Sequence, residues 1–328
     1  MSSVEPLPAT PPRPDRTAPA GRVRDSAISD TLDILADPWR FLVIREAFFG
    51  ARRFSTFAAD LGVPRATLTK CLSRLVEVGI FEQRAVHDGR SWKRYVLSER
   101  GRDLHEIFLG LMWYGDRWLC DGTPPVALYH KPARRWFSPE IVWSHDGAPV
   151  DPRAVRFEIG EGYWRPRPAR VERSHRMSRR DEARGWRPCS VERVLSVVGD
   201  RWTFLILQEF FHGNSRFDQF LNNLGIASNI LSDRLNNLVA SGFLERPAGG
   251  SGAYGLTSKG RDIYAPMILL KNWGDRWLRT DREVTSRFVA RATGEATRAV
   301  VVCPGVPGRI HPRDIDYAMT YAARYPPA

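Results

Sequence analysis

Apolar positions along residues 188–278 fall on helical spacings. Val191, Val194, Leu195 and Val198 recur every three or four residues and predict a first helix, stopped at Gly199. Residues 202–211 are apolar nearly all round, which predicts a central buried helix ending at His212-Gly213-Asn214. Phe217, Phe220, Leu221 and Leu224 predict a short amphipathic helix ending at Gly225. A three-residue turn leads to a fourth helix with Leu231, Leu235, Leu238 and Val239 on one face, closed by Gly242. Two short helices across a tight turn make a helix-turn-helix. Phe243-Leu244-Glu245 and residues 253–256 flank a Gly-rich loop and predict a β-hairpin, the wing. Thr257 then N-caps a last helix running to Leu278, with a kink at Pro266.

The same pattern occurs twice. Residues 37–83 lie on 200–246 at a constant offset of 163 with no gap, with 18 identities in 47 positions. Unrelated segments would give roughly 3. After a four-residue deletion the match resumes, with RYVLSERGRDL on AYGLTSKGRDI, and it ends with YGDRWL on WGDRWL. A fainter echo places DPRAVRF (151–157) on HPRDIDY (311–317). Ser98 caps the last helix of the first copy, and His87-Asp88-Gly89 has the turn chemistry of a longer wing. The predicted fold is mainly α with small β-hairpins: two winged helix-turn-helix domains in tandem, each followed by a small extension. The expected division is a disordered Pro-rich leader (1–25), domain 1 (26–119), an extension (120–163), an Arg-rich linker (164–187), domain 2 (188–278) and a C-terminal extension (279–328). Ile141-Val142-Trp143 and residues 155–159 are expected to form a small hairpin within the first extension.

Composition narrows the function classes. The chain has 328 residues, 43% hydrophobic, so a fully disordered chain is excluded. No run approaches the roughly 18 apolar residues that span a bilayer, and the leader has six prolines in its first twenty residues and no apolar signal core. Cys71, Cys120, Cys189 and Cys303 form no CxxC pair, which argues against a disulfide framework and for a reducing cytoplasm, with the protein on the nucleoid. Net charge is +12, which favours a polyanion partner. Residues 26–119 carry 14 basic and 12 acidic groups, and 189–278 carry 9 and 8. Residues 120–188 carry 14 and 9, with nine Arg in 164–187. That linker is read either as a solvated flexible segment or as one that tracks a nucleic-acid backbone.

Cys189-Ser190-Val191-Glu192, Gly199-Asp200-Arg201-Trp202, Arg216-Phe217, Ile230-Leu231-Ser232-Asp233-Arg234-Leu235, Gly242-Phe243-Leu244-Glu245-Arg246, Leu256-Thr257-Ser258-Lys259-Gly260 and Trp273-Gly274 resemble the bacterial HxlR-type winged helix-turn-helix transcription regulators. The second copy matches along its whole length. The first departs at Ser26, where the N-terminal Cys would stand, and at Cys71, which occupies the position of Arg234. The resemblance implies a DNA-binding regulator that works as a dimer through its terminal helices. Two copies in one chain leave an intramolecular pseudo-dimer and a chain-to-chain homodimer both open.

A helix of about 13 residues is roughly 20 Å long and fits a major groove about 12 Å wide. Its wet face in copy one is Arg65, Ala66, Thr67, Thr69, Lys70 and Ser73; in copy two it is Ser228, Asn229, Ser232, Asp233, Arg234 and Asn236. Arg and Lys suit guanine O6 and N7, and Asn suits adenine N6 and N7. Arg90, Lys93 and Arg94 on wing one suit phosphates or a minor groove, whereas wing two, residues 247–253, carries no charge. Arg53 and Arg216, just before each helix-turn-helix, are placed either at passing phosphates or in a helix-end salt bridge.

In the family, a cysteine at the position of Cys189 can serve as a thiol switch. Such a thiol needs exposure and nearby positive charge, for which Arg184, Arg187 and Arg193 are candidates in sequence. An inert N-terminal Cys is the competing reading. The extensions faintly resemble a zinc-ribbon appendage of some relatives. Trp143-Ser144-His145-Asp146 and Cys303-Pro304-Gly305-Val306 stand where CxxC pairs would, leaving one sulfur ligand of four, so no metal and no cofactor are expected. No phosphate loop, HExxH or GxSxG occurs. The expected protein is therefore no enzyme but a sequence-specific double-stranded DNA-binding regulator, with a small-molecule or oxidant effector open and no membrane partner. A winged-helix module that binds another protein instead of DNA is the alternative.

Overall fold

The computed structural model describes residues 18–320 except 36, 88–90, 121, 161–162, 167–188, 247–251 and 280–285. Strand β1 (Arg22–Arg24) precedes the first copy, which comprises α1 (Ala27–Leu35), α2 (Pro38–Phe48), α3 (Phe54–Leu61), α4 (Arg65–Glu77), the wing β2 (Phe81–His87) and β3 (Ser91–Leu97), α5 (Glu99–Asp103) and α6 (His105–Trp118). The first extension holds β4 (Val126–His130), β5 (Arg135–Phe137), β6 (Glu140–Trp143), β7 (Val155–Ile159) and β8 (Trp164–Pro166). The second copy repeats the plan with α7 (Ser190–Val198), α8 (Arg201–Phe211), α9 (Phe217–Leu224), α10 (Ser228–Ala240), β9 (Leu244–Glu245), β10 (Gly255–Leu256), α11 (Ser258–Asp262) and α12 (Tyr264–Leu278). Strands β11 (Ser286–Ala290), β12 (Ala296–Thr297), β13 (Ala299–Val302) and β14 (Ile315–Met319) close the chain. The mainly α, twice-repeated winged fold is the one predicted.

Local chemistry sets the boundaries. The Asp37 carboxylate accepts from the N–H groups of Trp39 and Arg40 and starts α2; Asp200 does the same for Trp202 and Thr203 at α8. Both helices are core elements, with Phe41, Leu42, Val43, Ile44 and Phe204, Leu205, Ile206, Leu207 all buried. Helices α3 and α9 end at Gly62 (φ 56°) and Gly225 (φ 65°), left-handed caps that aim the next helix outward. The expected single kinked helix to Leu278 is two helices that part at Ile263, with Pro266 in the first turn of α12, where a missing N–H costs little. Copy one parts at Leu104, where Ile107 stands in place of the proline. The break therefore belongs to the capped short helices, at Ser98 and Thr257, and not to proline.

The two copies pack through reciprocal contacts. Trp118 Nε1 donates to Asp262 Oδ2 at 2.9 Å, and Trp277 Nε1 donates to Asp103 Oδ2 at 2.7 Å. Tyr114 Oη donates to the Lys259 carbonyl and Trp273 Nε1 to the Arg100 carbonyl. Arg117 pairs with Asp262 and Arg276 with Asp103. A Cβ on Gly115 would lie 2.5 Å from the Ser190 carbonyl oxygen, and one on Gly274 2.5 Å from that of Ala27, so α6 meets α7 and α12 meets α1 at glycine. Each contact has its mirror, the mark of an isologous interface, here inside one chain. One hydrophobic core runs through both copies.

The extensions differ from expectation. Strands β6 and β7 do not pair with each other: β6 pairs with β13, β7 with β11 and β4 with β14. Each extension thus completes its sheets with strands of the other copy, across the same pseudo-dyad. The expected disordered leader and mobile linker also contribute structure, since Arg22–Arg24 pairs antiparallel with Trp164–Pro166. The reason is a buried ion pair: Arg24 reaches Glu209 through Nε at 2.8 Å and Nη2 at 3.0 Å. Residues 1–17 and 167–188 lie outside the described residues.

Candidate nucleic-acid interface

Helix α4 buries Leu68, Leu72 and Leu75 against its own copy and leaves Arg65, Ala66, Thr69, Lys70 and Ser73 exposed, with Thr67 half-buried. The apolar stripe fixes the helix rotation, so none of the described residues covers the opposite face. The Arg65 guanidinium lies 5.1 Å from the Phe54 ring centre, which props it at the helix start. Thr69 Oγ1 donates to the Arg65 carbonyl at 2.9 Å, leaving its oxygen lone pairs outward. All six predicted positions of copy one share this surface.

Helix α10 buries Leu231, Leu235 and Leu238. Ser228, Asn229, Asp233 and Asn236 are exposed and Ser232 is half-buried. Arg234 does not belong to the reading face. Its Nε sits 3.1 Å from Asp200 Oδ1, and its side chain is only 13% exposed. The guanidinium neutralises the carboxylate that caps α8. Copy one makes the same junction without this pair: Cys71 replaces the arginine, is buried, and has its thiol pushed up to about 12, chiefly by burial. Asn236 is exposed but engaged, since Arg246 Nη2 donates to its Oδ1 at 2.5 Å. Face one therefore carries two cations, Arg65 and Lys70. Face two carries serine, asparagine and the acidic Asp233.

The wings differ as well. Arg84 stands opposite Arg94 in the β2–β3 register but pairs with Glu82 at 2.9 Å. Lys93 and Arg94 are exposed, while Arg90 lies outside the described residues. An antiparallel bridge joins Arg53 to Arg94, supported by Tyr95 N–H to the Arg52 carbonyl at 2.8 Å. Arg53 thereby meets Arg94 at the wing root, with Lys93 the next residue along the strand. The mirror bridge joins Arg216 to Ala253, and Arg216 pairs with Asp218 at 3.3 Å. That side offers Arg216, facing a carboxylate, and Arg246, held on the Asn236 amide.

Cys189 is 1% exposed. Its neighbouring cation is Arg45, whose charge and hydrogen bonding couple to the thiol. Arg193 instead donates to the Leu119 carbonyl at 2.7 Å, and Arg184 and Arg187 lie outside the described residues. The exposure that a thiol switch needs is absent in this conformation. Cys303 is buried too, with Arg135 Nη2 at 3.7 Å from its sulfur. No group of three or more His, Cys, Asp or Glu among the described residues could hold a metal, and no helix among them is long and apolar enough to cross a membrane.

Asp103 and Asp262 were not singled out from the sequence, although each anchors a tryptophan of the other copy. Their signal was the repeated Gly-Arg-Asp that precedes each terminal helix.

A family model described as HxlR-like helix-turn-helix matches residues 34–122 and 197–282. An uncharacterized HTH-type transcriptional regulator of Mycobacterium tuberculosis is 36% identical over 143 residues, 43% of this chain and 90% of the relative. One of Synechocystis is 30% identical over 95 residues, covering 27% of this chain and 70% of the relative. One of Bacillus subtilis is 27% identical over 94 residues, covering 27% and 73%.

Proposed function

The chain belongs to the HxlR-like helix-turn-helix family, and on that premise we propose that a single polypeptide reads both half-sites of one DNA operator. It is a helix-turn-helix transcriptional regulator and not an enzyme. Helices α4 and α10 enter successive major grooves, and wing one holds the backbone or adjoining minor groove. The observation that carries this reading is the set of mirrored contacts between copies, which sets two exposed reading helices about one internal dyad. The relative from Mycobacterium tuberculosis fits almost whole on less than half of this chain, so the chain holds what two such proteins would bring together.

The half-sites are unlike. Arg65 and Lys70 favour guanine acceptors. Asn229 favours adenine, and Asp233 accepts from cytosine N4 and repels phosphate. Selection from random DNA is expected to yield a site of two different half-sites about one helical turn apart. A perfect palindrome, or a single half-site, overturns the reading. The effector response is not placed on Cys189 in this proposal, because its thiol is enclosed beside Arg45.

A further inference from the structure

We propose that Arg24 is a positioning residue for DNA reading by the second copy. The segment it belongs to precedes copy one, yet it sets the orientation of α9 and through it the aim of α10. The inference deepens the proposed function and rests on that reading for its effect on DNA; its structural part stands on the contacts alone.

Glu209 stands in the last turn of α8 and is fully buried. Its carboxylate gathers three parts of the chain. Arg24 comes from β1, with Nε 2.8 Å from Oε1 and Nη2 3.0 Å from Oε2. Asn214, in the turn before α9, donates through Nδ2 to Oε2 at 2.7 Å. Asn223, on α9 itself, donates through Nδ2 to the same oxygen at 2.6 Å. Asn223 is also held from its other side, where its Oδ1 accepts from the Ala18 N–H at 2.7 Å. The segment from Ala18 to Arg24 therefore grips both ends of one buried amide of α9, directly at Ala18 and through Glu209 at Arg24. Only Gly225, Ile226 and Ala227 separate α9 from α10. In a helix-turn-helix so tight a turn passes the orientation of one helix to the next.

The surroundings hold Arg24 in place. Val23 and Arg24 pair with Arg165 and Trp164 across the β1–β8 ladder. The Arg24 guanidinium lies 5.0 Å from the Tyr163 ring centre and 4.9 Å from that of Trp164, and its Nη1 donates to Tyr163 Oη. The next residue, Asp25, accepts from Arg279 Nη2 at 2.9 Å, which anchors the segment beyond the end of α12. The side chains of Arg24 and Glu209 are 2% and 0% exposed. A carboxylate this deep that loses its cation is left as an uncompensated buried charge, and α9 is among the elements that cover it. Copy one shows another source for such a cation: Arg45, of α2 itself, donates through Nε to Glu46 at 2.9 Å. The repeat places neutral Gln208 at that position in copy two. Among the described residues the cation on Glu209 is Arg24, 185 positions upstream.

The test uses the full-length chain and three variants: Arg24→Met, Arg24→Met with Glu209→Gln, and Arg24→Lys. Hydrogen exchange read by mass spectrometry is expected to show the amides of α9 about tenfold faster in Arg24→Met and those of α3 unchanged. Adding Glu209→Gln removes the stranded charge and keeps an acceptor for Asn214 and Asn223, so parent rates should return. Arg24→Lys keeps the charge but not the fork, and should fall between. On the selected operator, Arg24→Met should bind about tenfold more weakly and lose discrimination among bases in the half-site read by α10. Discrimination in the half-site read by α4 should remain, and the double variant should recover both. If Arg24→Met fails to fold, the double variant and Arg24→Lys carry the same comparison. The proposal is overturned if α9 exchange is unchanged, if α3 and α9 speed up alike, if Glu209→Gln does not restore the rates, or if both half-sites lose discrimination equally. A parent chain that selects no operator fails the proposed function instead, and α9 exchange against α3 then still decides whether Arg24 sets α9.

Discussion

Burial holds the Asp116 carboxyl well above the usual range, at about 6, against opposing hydrogen bonds from Ser190 and Cys120 and the charge of Arg193. Its mirror residue, Asp275, has Lys271 as a direct partner; among the described residues Asp116 has only the Ser190 hydroxyl and the weak Cys120 thiol within hydrogen-bond reach. The folded chain binds this proton more tightly than the unfolded one, whose carboxyl titrates near 3.8. Stability from this group is therefore full below pH 4 and falls as pH rises towards 6, by about 3 kcal/mol at most. Asp116→Asn keeps an acceptor for Ser190 and removes the charge. Urea melts are expected to show the variant equal to the parent at pH 4 and more stable by about 1–3 kcal/mol at pH 8. A difference that stays constant across that range would mean that burial of the charge is not what Asp116 contributes.

Among the elements, the helices were legible in sequence and their partners were not. Apolar spacing fixed the rotation of α4 and α10, and glycine at Gly62 and Gly225 fixed the ends of the preceding α3 and α9, because those signals are local. Arg234 was misplaced because a helical wheel assigns every polar residue to water. Only the fold brings the Asp200 carboxylate, 34 positions away, against that face. The strands of the extensions failed for a related reason. Alternation marks a strand face but not which strand it meets, and β7 finds its partner across the pseudo-dyad, at Ser286–Ala290. The wings carry a prediction at this scale. At the root of wing one Arg53 bridges Arg94, next to Lys93, whereas the mirror root has Arg216 beside Asp218 and Arg246 on Asn236. Each phosphate contact contributes about 0.9 to the slope of log K against log salt. Replacing Lys93 and Arg94 with Ala is expected to flatten that slope by up to roughly two units, and Arg216→Ala to change it by less than one. DNA titrations at several salt concentrations read both; an equal effect from the two sides would remove the asymmetry between wings.

At the scale of the whole molecule, duplication moves an interface from between chains to within one. A homodimeric regulator must assemble before it can span two half-sites, so its occupancy depends on protein concentration as well as on DNA affinity. On the proposed reading the linkage of copies replaces that step, and the two halves are free to diverge, as the exposed faces of α4 and α10 and the two wings do. The repeat itself was visible in the sequence, but the choice between internal and chain-to-chain pairing was not, because both use the same glycines, tryptophans and aspartates. The internal arrangement predicts a mass of 37.3 kDa in solution, unchanged from about 1 to 100 µM, and one chain per operator in the complex. Sedimentation equilibrium with and without selected DNA measures both. Gly274→Val drives a side chain into the Ala27 carbonyl and is expected to separate the mirrored helices. It should weaken DNA binding at least tenfold, since two half-sites would then be held by a loose tether and no longer by a fixed dyad. A parent chain of twice the stated mass, or a Gly274→Val variant that binds its operator as tightly as the parent, would place the functional dyad between chains instead.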